Sequence, residues 1–325
     1  MVNFEKYLKI LNDQLLRFES GKYPENLHQP VRYFLGLGGK RIRPVLVLMG
    51  YELFDSQYEK ALHQALAIEL FHNFSLIHDD IMDKADLRRG QSTVHKKWNE
   101  STAILAGDLM LIKAYELLAD APSKFLPAIF ECFNKMAVEV CEGQQMDMDF
   151  ERADAVEEEL YLEMIRKKTS VLLGAALQIG ALRAGADAGP AELLYEFGVN
   201  IGMAFQMMDD FLDVFGSSEK TGKVEGGDVL NGKKTLLYLH SMNHLSPTEK
   251  EQLMEVYLPT CKRTPKERVE VARKLFLRTK SDVYLKQKAK DYYTVGINLL
   301  KSIDQSPERL RPLLELAEFL ANRDY

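Results

Sequence analysis

Two pentapeptides carry the densest chemistry in this chain: Asp79-Asp80-Ile81-Met82-Asp83 and Asp209-Asp210-Phe211-Leu212-Asp213. On a helix, residues four apart share a face, so Asp79 projects beside Asp83 and Asp209 beside Asp213. His72, seven residues before Asp79, and Gln206, three before Asp209, extend the two polar stripes. Around them the segments are apolar, with Phe71, Leu76, Ile77 and Ile81 in one and Phe205, Met207, Met208, Phe211 and Leu212 in the other. Like charges at this spacing destabilise a helix, and carboxylates near an apolar core carry a desolvation cost. Divalent cations relieve both. All-oxygen ligands select Mg²⁺, which takes one or two carboxylates together with water and phosphate oxygens. Two such clusters facing one another across a cavity would hold several Mg²⁺ ions and clamp a diphosphate. The bland alternative is a pair of solvated acidic faces, and two copies inside apolar helices weigh against it. A di-iron bundle would need Glu-x-x-His pairs on two helices, and only Glu69 to His72 matches.

A polyanion also needs fixed cations. Gly38-Gly39-Lys40-Arg41-Ile42-Arg43-Pro44 puts three directly after a glycine loop, and Arg88-Arg89-Gly90 follows Asp83 where that helix should end. Arginine suits bidentate phosphate contacts, and lysine acts as a compact point charge. Lys168-Thr169 falls between Ile165 and Val171, and Lys223 and Lys233 fall in or beside a second glycine-rich stretch, Gly216 to Gly232. Alone, each of these reads as a surface cation. Their company beside glycine loops and acidic clusters gives them meaning.

The elements that must position these groups read as helices. Helical periodicity covers residues 2–19, 40–54, 57–84, 94–118, 123–142, 154–184, 189–215, 231–243, 247–257, 265–278, 280–301 and 307–322, and strand alternation is hard to find. Ser20-Gly21, Arg89-Gly90, Pro122, Gly185 to Pro190, Pro247, Pro265 and Pro307 punctuate them. No repeat and no long flexible linker interrupts the pattern, so a single all-α domain over residues 1–325 is expected. The net charge of −6 argues against a general nucleic-acid binder. No uncharged run approaches the roughly 20 residues that cross a bilayer, which predicts no stable membrane insertion. Three cysteines, Cys132, Cys141 and Cys261, read as free thiols in a reducing cytoplasm. Residues 262–290 hold eleven cations against three acids, most simply a solvated face, with approach to a membrane surface as the lesser reading.

Taken together these residues resemble the trans-prenyl diphosphate synthase (polyprenyl synthetase) family along nearly the whole chain. The matching blocks are GGKRIRP at 38–44, ELFHNFSLIHDDIMDKADLRRG at 69–90, AILAGDLML at 103–111, CEGQQMD at 141–147, KKTS at 167–170, FQMMDDFLD at 205–213 and GKKT at 232–235. The resemblance implies the isoprenoid synthase type I fold: a bundle of about ten or more helices around a deep central cavity, as a homodimer. It implies that Asp79, Asp83 and Asp209 ligate Mg²⁺, three ions per active site, with Asp80, Asp210 and Asp213 in or near the same shell. Lys40, Arg43, His72 and Arg89, with Arg41 in the same block, match positions that hold isopentenyl diphosphate. Arg88, Lys168, Lys223 and Lys233 match those for the allylic diphosphate, and Thr169 and Gln206 match groups near the reacting carbons. Of these, Arg88, Lys168, Thr169 and Gln206 are the ones expected to act in the chemical step. Leu236-Leu237-Tyr238 after GKKT departs from the Leu-Pro of many relatives, which bears on the loop path alone.

The implied reaction breaks an allylic C–O bond, leaving a carbocation and a diphosphate, so cations fixed around the leaving group should matter most. The growing chain would extend towards the N-terminal turns of the Asp79 helix. Phe74 lies about 7–8 Å deeper along that axis and about 140° round from Asp79, while Ser75 lies under it. Geometry alone does not make Phe74 the floor. In the family, one aromatic at this position beside a small residue resembles geranylgeranyl (C20) synthases, whereas bulk at both resembles one type of farnesyl (C15) enzyme, the alternative here. A class I terpene cyclase would carry an Asn/Ser/Glu triad in place of the second cluster. A non-catalytic subunit would have lost acids or cations, and a metal-storage bundle would ignore diphosphates.

Overall fold

The computed structural model describes residues 2–153, 155–216 and 226–321. As expected, the fold is all-α. In chain order the helices are α1 (Val2–Arg17), α2 (Glu25–Gly36), α3 (Ile42–Glu52), α4 (Leu62–Met82), α5 (Val94–Lys97), α6 (Glu100–Leu118), α7 (Leu126–Arg152), α8 (Glu158–Ile165), α9 (Val171–Ala184) and α10 (Ala188–Phe215). Within the second glycine-rich stretch lies α11 (Gly227–Leu230), and after it come α12 (Leu236–His244), α13 (Pro247–Tyr257), α14 (Pro265–Arg278), α15 (Ser281–Lys301) and α16 (Pro307–Ala321). The prolines expected to punctuate the later joints open helices: Pro247 and Pro265 each sit directly after the N-cap of a capping box, Ser246 with Glu249 and Thr264 with Glu267. None of the described helices is long and apolar enough to cross a membrane.

The helix expected over 94–118 breaks between Lys97 and Glu100, the one expected over 231–243 starts at Leu236, and four further details differ from the periodicity. Helix α2 forms where none was expected. Pro30 interrupts its hydrogen-bond ladder and glycines follow, but Val31, Phe34 and Leu35 are buried on one face and hold it. Beyond α4 the chain makes a two-residue hairpin, β1 (Leu87–Arg88) against β2 (Gln91–Ser92). Both loop residues, Arg89 (φ 54) and Gly90 (φ 75), are left-handed, the geometry of the tight hairpin turn that follows strand twist. Helix α7 runs to Arg152 rather than 142. The segment expected as one helix over 154–184 starts at Glu158 and contains a π-turn at Arg166–Ser170 between α8 and α9.

The chain divides into two compact units. Unit 1 comprises Met1–Lys135, Ala175–Tyr195 and Ile303–Leu313. Its centre is α4, apolar nearly all round and packed mainly on α6 and α3, with Ala65, Ile68, Leu70 and Phe71 buried. Helices α3 and α9 cross backbone to backbone: a Cβ on Gly50 would overlap the Leu177 carbonyl, and one on Gly180 the Val47 carbonyl. Phe71, Phe133 and Tyr115 lock edge to face behind α4.

Unit 2 comprises Met136–Gly174, Glu196–Ser302 and Leu314–Tyr325. Its core gathers Met207, Leu236, Leu253, Val256, Phe276 and Leu285. At the π-turn, a Cβ on Gly143 of α7 would overlap the Lys168 backbone, so α7 lies directly on the widened turn. Ser170 Oγ donates to Ile165 O at 3.4 Å across it.

Candidate active site

In unit 1, Asp79 and Asp80 lie in the last turn of α4, and Asp83 caps it by donating its N–H to Asp79 O at 2.8 Å. Three acids at a helix C-terminus oppose the helix dipole as well as each other. The hairpin answers with Arg88. Its Nε lies 2.9 Å from both carboxylate oxygens of Asp80, and its Nη2 lies 2.8 Å from Asp80 and 3.5 Å from Asp79. Asp80 is 1% exposed. Burial raises its pKa, Arg88 pulls it back, and Asp79 adds to the rise.

The cations of the first glycine loop divide by role. Arg41 is left-handed and buried, with its guanidinium committed to Glu69 and, at 2.7 Å, to Leu35 O. Asn73 Nδ2 donates to the same Glu69 oxygen at 3.0 Å. Expected among the substrate-binding cations, Arg41 is thus the anchor that folds the loop onto α4. Arg43 Nη1 donates to His72 Nε2 at 3.2 Å. An arginine only donates, so Nε2 must carry the lone pair and Nδ1 the proton. Burial first, then Arg43, Arg89 and Arg88, hold the His72 pKa well below 6.5, so the ring is neutral. Burial likewise brings Arg43 down to about 10, with Glu69 opposing. Arg89 lies flat against Gly39: a Cβ there would be 2.7–2.9 Å from its guanidinium atoms. Gly39 has φ +145, so this loop position requires glycine twice over. Lys40 is exposed at the loop's end. Further up α4, the Phe74 ring meets Phe71 at 5.6 Å and His78 at 4.8 Å, and Ser75 Oγ turns back to His72 O at 2.9 Å.

In unit 2 the structure brings seven of the expected residues, Lys168, Thr169, Gln206, Asp209, Asp210, Asp213 and Lys233, into the lining of one cavity of about 240 Å³. Apolar walls come from Phe150, Met164 and Ile165. The π-turn presents Lys168 and Thr169 to this cavity. Such turns recur at functional positions because the extra residue re-aims side chains without ending the helix. Lys168 Nζ donates to Asp147 at 2.5 Å. Thr169 Oγ1 donates to Gln206 Oε1 at 3.3 Å, and Gln206 Nε2 donates to Asp210 Oδ1 at 2.9 Å. Tyr161 donates to the other oxygen of Asp210. Asp210 is 4% exposed, and burial, then Asp228, raise its pKa well above the ordinary value. Asp213 accepts the Asp228 N–H at 2.9 Å, which ties the start of α11 to the end of α10. Residues 217–225 of the second glycine-rich stretch, Lys223 among them, lie outside the described residues.

Sequence reasoning did not single out several cavity residues, among them Asp147, Tyr161, Asp228 and Lys234. Asp147 closes the CEGQQMD block four residues after Gly143, and Tyr161 precedes Lys168 by seven residues, two turns up the same apparent helix. Lys234, next to Lys233, is held by the carbonyls of Phe150 at 3.0 Å and Ala153 at 2.5 Å. Asp80 and Asp210, expected in or near the metal shell, have oxygens engaged by Arg88 and by Tyr161 with Gln206. Among the described residues, no three His, Cys, Asp or Glu side chains already form a metal cage. The outer aspartates of each motif are all-oxygen donors at i,i+4, the set that Mg²⁺ completes with water and phosphate oxygens.

The chain is similar to proteins of one family. The family model for polyprenyl synthetase matches residues 24–275. The chain is 39% identical over 319 residues to a geranylgeranyl pyrophosphate synthase of Geoglobus acetivorans, covering 98% of this chain and 97% of the relative. It is 41% identical over 305 residues to a geranylgeranyl diphosphate synthase of Methanosarcina mazei, covering 93% and 91%. A solved geranylgeranyl pyrophosphate synthetase from Pyrococcus horikoshii superimposes with a TM-score of 0.92 at 34% identity, over 99% of this chain and 98% of that one.

Proposed function

We propose, from the premise that this chain belongs to the polyprenyl synthetase family, that it condenses isopentenyl diphosphate with an allylic diphosphate to give geranylgeranyl diphosphate. It has the all-α isoprenoid synthase type I fold of that family. The observation that carries the reading is the unit 2 cavity, where lysines and carboxylates meet Thr169 and Gln206 against apolar walls. The C20 product is supported by the names of the similar proteins and by the single aromatic Phe74 beside Ser75; the farnesyl alternative has no such support. Both units, residues 1–325, act as one synthase domain.

In this reading Lys40, Arg43, His72 and Arg89 hold the diphosphate of isopentenyl diphosphate, and Arg41 holds their loop in place. His72, neutral, offers its Nδ1–H as a donor. Arg88, Lys168, Lys233 and, outside the described residues, Lys223 hold the allylic diphosphate. Asp79, Asp83 and Asp209 are the Mg²⁺ ligands, with Asp80, Asp210 and Asp213 in or near the same shell. Mg²⁺, when bound, supplies Lewis-acid stabilisation of the leaving diphosphate and a template for it. The fixed cations stabilise the charge that develops as the C–O bond breaks, which is where preorganised electrostatics lowers a barrier most. The Gln206 carbonyl and Thr169 hydroxyl steady the allylic cation by their dipoles. The departing diphosphate takes the last proton. Phe150, Met164 and Ile165 keep water from the cation.

We further propose a cytoplasmic homodimer. The free thiols of Cys132, Cys141 and Cys261 suit a reducing compartment, and α6 exposes Ile104, Leu105 and Ile112 as an apolar face that a second copy would cover. The test of the activity is incubation of the purified chain with Mg²⁺, isopentenyl diphosphate and dimethylallyl diphosphate, followed by chromatography. A dominant C20 diphosphate supports the reading; a dominant C15 or C30-plus product rejects the chain length, and no prenyl product rejects the activity.

A further inference from the structure

The second aspartate of each acidic motif, Asp80 and Asp210, is buried. Asp210 has both oxygens engaged: Tyr161 Oη donates to one, and Gln206 Nε2 donates to the other at 2.9 Å. Tyr161 and Asp210 are each 4% exposed, so water does not compete for these places. With Tyr161 donating to one oxygen, the other oxygen of an ionised Asp210 only accepts, and the Gln206 amide turns its NH₂ towards it. Its Oε1 is thereby turned to the Thr169 side, where Thr169 Oγ1 donates to it at 3.3 Å. The reversed amide would set oxygen against oxygen in a buried site. Tyr161 is itself well anchored. One turn before it, Glu158 accepts from Tyr284 Oη at 2.6 Å and pairs with Lys288 at 3.0 Å. Asp80 stands in the same relation to Arg88, with Nε 2.9 Å from both its oxygens.

We propose that Tyr161 is a positioning residue: through Asp210 it fixes the orientation of the Gln206 amide, so that the carbonyl oxygen rather than the NH₂ faces the allylic carbon. This role rests on the prenyl-transfer reading and deepens it. An NH₂ group in that place would oppose a developing carbocation, so the cost of losing the orientation falls on the chemical step and not on substrate binding.

The experiment is a double-mutant cycle on the full-length protein with Tyr161→Phe and Gln206→Leu, measured as kcat and KM for each diphosphate and as the Mg²⁺ concentration giving half-maximal rate. Tyr161→Phe keeps the ring and removes only the hydroxyl. It should lower kcat about tenfold, the size expected for one charge-assisted hydrogen bond, while both KM values and the Mg²⁺ requirement stay as in the wild type. In the Gln206→Leu background the same change should have almost no further effect. Asp210→Asn, which can face the amide with either an oxygen or an NH₂, should lower kcat with the same pattern. An unchanged kcat in Tyr161→Phe overturns the proposal. So does an equal loss in both backgrounds, which is what a merely structural tyrosine would give. A wild-type protein that forms no prenyl product removes the activity itself and this role with it, and that outcome is distinct from an active wild type with an indifferent Tyr161→Phe.

Discussion

Replacing Gly39 by alanine tests the first glycine loop most sharply, because its structural and functional costs can be separated. Gly39 has φ +145, where an L residue is strained by about 1–3 kcal/mol. The new Cβ would also stand 2.7–2.9 Å from Arg89 Nη1, Nη2 and Cζ. Those atoms are the far end of a long side chain, so the clash is relieved by swinging the guanidinium away rather than by moving backbone. Stability should therefore fall by the backbone cost alone. If Arg89 holds the isopentenyl diphosphate, the displaced charge-assisted contact is worth about 1.5–3 kcal/mol, or roughly a 10- to 100-fold rise in KM for that substrate. Gly38→Ala is the control: Gly38 is also left-handed, at φ +79, but nothing lies within 4 Å of its would-be Cβ. Both variants should show similar drops in thermal midpoint. Initial rates with each diphosphate varied in turn should show a raised KM for isopentenyl diphosphate in Gly39→Ala alone, with the allylic KM unchanged. Equal KM values in the two variants, or a rise confined to the allylic substrate, would refute the placement of Arg89.

Other consequences are simpler to read. Phe74→Ala removes the ring that meets Phe71 and His78, and chromatography should show products longer than C20; an unchanged length would remove Phe74 as the floor. Glu69→Gln leaves Arg41 buried without its counter-charge, which should cost about 3–5 kcal/mol in urea unfolding, and a loss within measurement error would contradict the anchoring role of the pair. His72 has a folded pKa held below 6.5, so below that pH the unfolded chain takes a proton that the folded chain refuses. Stability should then fall as pH drops from about 6.5 towards the folded pKa, and His72→Gln should flatten that part of the profile. Unfolding curves for both proteins at several pH values between 5 and 7 would show parallel slopes if His72 were not protected.

Much of this could be read from residue types and spacing. Paired aspartates within apolar helical segments carry their own physical argument, and Lys168, Lys233, Thr169 and Gln206 of the unit 2 cavity were legible from their company, whereas Lys234 was not. Local propensity misled where tertiary burial decides. Helix α2 survives Pro30 because Val31, Phe34 and Leu35 are buried, and nothing within residues 25–36 announces that. The hairpin after Asp86 is too short to show alternation, and Arg89 takes a left-handed place that its side chain does not favour. The π-turn adds one residue to a helix whose apolar pattern continues on both sides, so it leaves no trace in periodicity. Tyr161 went unnoticed for a related reason: a tyrosine in an apolar helix reads as core, and only the position of Asp210 turns its hydroxyl into part of the site.

The most direct measurement is the ratio of diphosphate released to isopentenyl diphosphate consumed, with Mg²⁺ present and the C15 allylic diphosphate as starter. Charge stabilisation by fixed cations in the service of prenyl transfer predicts one diphosphate for each isopentenyl unit, with a C20 diphosphate accumulating and no release when isopentenyl diphosphate is withheld. Steady release from the allylic diphosphate alone, with a hydrocarbon or alcohol as product, would contradict it.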